Sequence, residues 1–156
     1  MRDETEVIEQ VRRAFDGTGE RQGKYSRVAE ALRKAGGYRW VGIYDAGEKE
    51  IVLLAWSGDA APAHPKFPLS HGLCGEAART RQTVIVGNVA SDPRYFEAFA
   101  STRSEIVVPV IDAVTGRARA LIDVESDRLD AFGDEDRAFL QRAASAISSA
   151  VSASPG

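Results

Sequence analysis

The chain has 156 residues, 44% apolar and 28% charged, with 14 Gly and 6 Pro, proportions that suit one folded domain and exclude a disordered or fibrous chain. Its 20 Lys plus Arg against 23 Asp plus Glu leave a net charge of −3 with the basic residues scattered, which argues against nucleic acid as a partner. A single cysteine excludes an internal disulfide framework and most zinc sites, and no run approaches the ~20 apolar residues of a membrane span.

The opening MRDETEVIEQ lacks the basic then apolar pattern of a signal peptide. A cytoplasmic protein with no membrane partner is therefore expected, as one domain over 1–156 with its core at about 24–152.

From Thr5 to Phe15 the apolar residues Val7, Ile8, Val11, Ala14 and Phe15 recur at helical spacing, and Asp16-Gly17 ends the run. A second helix carries Val28, Ala29, Ala31, Leu32 and Ala35 and stops at Gly36-Gly37. YRWVGIYDA then reads as a strand, with Trp40, Gly42 and Tyr44 on one face and Val41 and Ile43 on the other. A turn at Ala46-Gly47 leads to EIVLLAWSG, the second arm of an antiparallel hairpin. The stretch from Pro62 to Pro68 reads as a loop, because three prolines remove three ladder donors.

A short helix opening near Cys74 and a strand in TVIVGN follow. The stretch from Ala90 to Arg103 has no clean period and is expected to be an irregular connection with a helical turn, of the kind that covers pockets. SEIVVPVID and RARALIDVES form a second hairpin around DAVTG. Asp134, Glu135 and Asp136 open a terminal helix whose stripe runs Phe139, Leu140, Ala143, Ala144, Ile147, Ala150 and Val151, ahead of a frayed SASPG tail. Hairpin-connected strands between terminal helices predict an α+β fold, a central antiparallel sheet with the N- and C-terminal helices packed on one side.

The last two strands hold the candidate chemistry. Glu105 opens one, and Asp123 and Glu125, two apart, share a face of the other. Flanked by Ile106, Val107, Val108, Leu121, Ile122 and Val124, these acids either line a solvated face or jointly receive a cation such as an ammonium. Trp40 and Tyr44 are then either packing residues or a pocket wall with cation–π character. Cys74, near a helix start, is either a thiol made reactive by the N-terminal dipole or a small buried hydrophobe. His71 and His64 are too few to complete a zinc site with it. Neither a phosphate-binding loop nor a dinucleotide fingerprint occurs, so no metal and no cofactor is expected.

The segments YRWVGIY, HGLCGEAARTRQTVIVGNV, RSEIVVPV, ALIDVES and DAFGDEDRAFL, in that order, resemble the GAF domain, and within it the free methionine-(R)-sulfoxide reductases. The likeness runs from about Gly36 to the end of the last helix. It implies a sheet flanked by terminal helices that build a homodimer. It also implies a pocket in which Trp40 and Tyr44 form the wall, while Glu105, Asp123 and Glu125 hold the ammonium of free methionine sulfoxide. Glu125 stands where the family usually has aspartate. Cys74 matches a cysteine the family uses for recycling, whereas the attacking cysteine's place falls near Ala98, which carries no thiol.

The expected function is therefore a ligand-binding module for an amine-bearing molecule such as a free amino acid, without catalysis. A divergent free methionine-(R)-sulfoxide reductase using Cys74 and a thioredoxin-type reductant is the alternative. A dimeric signalling or interaction module with an occluded pocket is a third reading.

Overall fold

The structure, a computed structural model, describes residues 3–153. Helix α1 (Glu4–Arg13) begins at Asp3, whose carboxylate accepts the Glu6 amide at 3.2 Å. It ends two residues before the expected limit at Phe15. Helix α2 (Arg21–Gly36) closes at Gly37, whose φ of 65° takes up the left-handed conformation that glycine adopts without strain. Strands β1 (Trp40–Ala46) and β2 (Glu50–Ser57) form the first hairpin, and β5 (Ser104–Ile111) and β6 (Ala118–Ser126) the second. Between them lie β3 (Lys66–Pro68), α3 (Gly72–Thr80), β4 (Val84–Val86) and a 3-10 turn at Val89–Ser91. Helix α4 (Asp134–Ala153) ends the described chain. It takes in the first part of the expected frayed tail, and the remainder of that tail lies outside the described residues.

The strands form one sheet in the order β3-β2-β1-β6-β5-β4, every neighbouring pair antiparallel. The loop expected over Pro62–Pro68 needs correction, since Lys66–Pro68 is a short edge strand on β2. An edge strand needs donors on one side only, and the Pro65 carbonyl still accepts from the Leu53 amide at 2.7 Å.

Alternation divides the sheet into two apolar layers. Val41, Ile43, Ile106, Val108, Ile122 and Val124 pack under α1, α2 and α4. The apolar stripe of α1 is consumed here, with Val7, Ile8 and Val11 buried within the chain itself. The opposite face carries Trp40, Tyr44, Val107 and Leu121 under α3 and the connections around it. Terminal helices on one side of an antiparallel sheet are the α+β arrangement that the periodicity predicts. No helix among the described residues is long and apolar enough to cross a membrane.

Candidate functional site

The second face of the sheet gathers the acids. Since Ile106 and Val108 of β5, and Ile122 and Val124 of β6, point to the helical layer, Glu105, Asp123 and Glu125 must point away from it. The register sets Glu105 directly opposite Glu125, with Asp123 opposite Val107. On the other flank of β6, Trp40 lies opposite Glu125 and Gly42 opposite Asp123. Like charges face to face across a ladder are destabilising.

These side chains are not on a solvated face. Glu105, Asp123 and Glu125 are only 5%, 2% and 3% exposed, which removes that alternative. α3 and the connection 92–103 cover this side of the sheet and keep bulk water from stabilising the charge of the carboxyls. Burial is the main cause that pushes all three well above the ordinary carboxylate range, and each acid's neighbour adds to it. Asp123 lies within hydrogen-bonding reach of both Glu105 and Glu125, while the Thr102 hydroxyl donates to Glu125 Oε1 at 2.8 Å. Beyond those two carboxyls, Asp123 Oδ1 is enclosed with no hydrogen-bond partner among the described residues.

A cavity opens over the acids. Tyr44 and Cys74 stand beside the carboxyls in its wall. Across it lie Phe96 and Ala98 of the covering connection together with His64. The Phe96 ring stacks on His64 at 4.4 Å and leans on Phe67 at 5.5 Å. The Ala63 amide donates to the Ala98 carbonyl at 3.1 Å and ties the two covering segments together. The space between floor and cover is ≈ 20 Å³, enough for about one water. An amino acid can enter only when the cover moves.

The residues singled out in the sequence are thus distributed unequally. Tyr44, Cys74, Glu105, Asp123 and Glu125 border one cavity. Trp40 shares their face but does not border it. Its ring lies along the strand over Gly42, packs edge-on against Phe99 at 5.2 Å and donates Nε1–H to the Ala60 carbonyl at 3.0 Å. Only a residue without a side chain fits beneath that ring, which explains Gly42.

Cys74 does lie in the first turn of α3, as expected. Burial, and then the charges of Asp123, Glu105 and Glu125, push its thiol well up. Tyr44 is likewise pushed upward, mainly by burial and then by Asp123, so its phenol keeps its proton. Sequence reasoning missed Thr102, Phe96 and Phe67. The only signal for Phe96 and Phe67 was the aromatic content of an aperiodic connection and of a proline-rich stretch, and Thr102 carried none.

The sequence profile of the GAF domain matches residues 25–152. This chain belongs to the GAF domain family. Over 154 residues it is 29% identical to a free methionine-R-sulfoxide reductase of Saccharomyces cerevisiae, covering 91% of this chain and 84% of the yeast protein. The fold superposes on the X-ray structure of the Neisseria meningitidis free methionine-R-sulfoxide reductase in complex with its substrate, with a TM-score of 0.84 and 29% identity over 96% of this chain and 89% of that one. The type II free methionine-R-sulfoxide reductase of Thermoplasma acidophilum gives a TM-score of 0.76 at 31% identity, over 93% of this GAF domain and 94% of its own chain.

Proposed function

We propose that this GAF domain binds a small amine-bearing molecule, a free amino acid of the methionine or methionine-sulfoxide kind, and does so without turning it over. The observation that carries this reading is Asp123 Oδ1, buried among three desolvated carboxyls with no amide, hydroxyl or cationic donor among the described residues. Such an atom is costly unless something donates to it. An ammonium supplies three donors and a positive charge in one group. It would take up Asp123 Oδ1 and offset the charge of Glu105 and Glu125. Phe67, Leu73 and Phe96 at the same cavity give an apolar side chain a place to lie once the cover opens. Similarity to reductases of free methionine sulfoxide supports an amino acid over other amines.

Calorimetric titration of the reduced protein with free methionine-(R)-sulfoxide and with methionine tests the proposal. Binding without consumption is expected. Glu105→Gln should weaken it by about 2–5 kcal/mol, the usual loss when one member of a buried charge contact is removed. Unchanged affinity in that variant would remove Glu105 from the site.

A second reading, a thiol reductase, is favoured by the position of Cys74. Its Sγ lies within 4.8 Å of carboxylate oxygens of both Glu105 and Asp123. In this reading the Cys74 thiolate attacks the sulfoxide sulfur, the oxygen passes to Cys74 as a sulfenic acid, and methionine leaves. A thioredoxin-type dithiol then returns Cys74 to the thiol, releasing water and becoming a disulfide. The raised Cys74 pKa opposes the first step in the ligand-free protein. Methionine production that depends on such a reductant and disappears in Cys74→Ser would replace the binding-only reading with this one.

A further inference from the structure

We propose that Cys74, Glu105 and Asp123 together form a binding site for one thiophilic divalent metal ion of the zinc class, which occupies the cavity as an alternative to an amine. The Cys74 sulfur and one oxygen from each acid lie within 4.8 Å of one another, and all three residues are buried. The sequence offers His64 and His71 as the partners of Cys74. The fold instead supplies two carboxylates from neighbouring strands, and neither histidine belongs to the cluster.

An ammonium uses the carboxylates and leaves the sulfur idle. A divalent ion uses all three donors. Around one zinc ion, with bonds of about 2.0–2.3 Å, such donors stand roughly 3.5 Å apart. The donors lie within 4.8 Å of one another, and the cluster reaches the ligand spacing by closing through about 1 Å of side-chain motion. Three ligated anionic donors in a dry cavity are offset better by two positive charges than by one, and the thiol and carboxyl protons leave to solvent as the ion enters. Asp123 Oδ1, with no amide, hydroxyl or cationic donor among the described residues, gains a ligand bond in the same step.

Sulfur in the donor set selects zinc, cobalt or copper over magnesium and calcium, which prefer oxygen alone. Three protein donors leave one position open, the arrangement of a site that exchanges water or a small ligand. Glu125, held by the Thr102 hydroxyl, stands beside Asp123 to orient it.

The inference stands apart from the amine reading, because only the ion requires Cys74. Cobalt(II) chloride titrated into the reduced, chelator-treated protein is the probe. One equivalent is expected to give a thiolate-to-cobalt charge-transfer band in the near ultraviolet with intense tetrahedral visible bands. Zinc chloride should then bleach these by displacement.

Cys74→Ser should abolish the charge-transfer band, and Glu105→Gln should lower cobalt affinity about tenfold or more. Far-ultraviolet circular dichroism of both variants confirms that each is folded. Absence of the band in the wild type, or its persistence in Cys74→Ser, overturns the inference. Methionine titrated into Cys74→Ser separates the two readings. Amino-acid binding retained there while wild-type cobalt binding fails removes only the metal site, and cobalt binding with no amino-acid response removes only the amine reading.

Discussion

Replacing Glu105 with glutamine tests how this fold tolerates three desolvated carboxyls. In the native chain Glu105, Asp123 and Glu125 hold their protons to higher pH than they do unfolded, because burial and mutual repulsion raise all three. Above about pH 4, where unfolded carboxyls ionise, the native state therefore binds more protons than the unfolded state. Stability from this source is complete below that pH and drains as pH rises. Each proton the cluster retains costs about 1.4 kcal/mol per pH unit.

Urea denaturation of the ligand-free protein, followed by fluorescence from the buried Trp40, should show the midpoint falling from about pH 5 to about pH 8. That window lies below the pH at which an unfolded cysteine ionises. Glu105→Gln removes one titrating group and gives its neighbours an amide donor. The variant should become the more stable protein towards pH 8, with the gap widening as pH rises and the m-value unchanged. A wild-type midpoint that is flat across this range, or a variant that is less stable throughout, would show that the carboxyls are ionised and satisfied in the native state.

Gly42→Ala forces a Cβ into the Trp40 ring, whose Nε1–H is tied to the Ala60 carbonyl, and should cost about 1–3 kcal/mol, read as a lowered Tm with a changed near-ultraviolet circular dichroism spectrum. Thr102→Val removes the hydroxyl that donates to the buried Glu125 carboxyl and should cost about 1–3 kcal/mol, read as a lowered urea midpoint. Gly72→Ala places a Cβ 3.1 Å from that of Phe96 at a φ of +74°; faster proteolysis within 92–103 would show that the cover has been loosened.

The fold was legible where periodicity is strong. Helical stripes such as Phe139, Leu140, Ala143 and Ile147 and the alternation of Val41 and Ile43 with Trp40 and Tyr44 led to the helical layer and the sheet. Pro65 and Pro68 concealed β3, because proline is compatible with a strand at an edge and sequence alone does not say which strand is at the edge.

The acids stood out as charges in apolar runs, but periodicity could not say whether their face was open. That depends on α3 and on residues 92–103, whose packing is set by long-range contacts such as His64 on Phe96. The same contacts decide the state of Cys74. Its helix start was visible in sequence, while the burial and the carboxyls that raise its thiol depend on strands about 30 and 50 residues further on.

The central claim is that the buried acids receive a positively charged nitrogen. Titrating the reduced protein calorimetrically with free methionine-(R)-sulfoxide and then with its N-acetyl derivative tests this most directly, since acetylation removes the charge and leaves the side chain intact. The account predicts a saturable response to the free amine and none to the acetylated compound. Equal binding of both, or binding of neither, would contradict it.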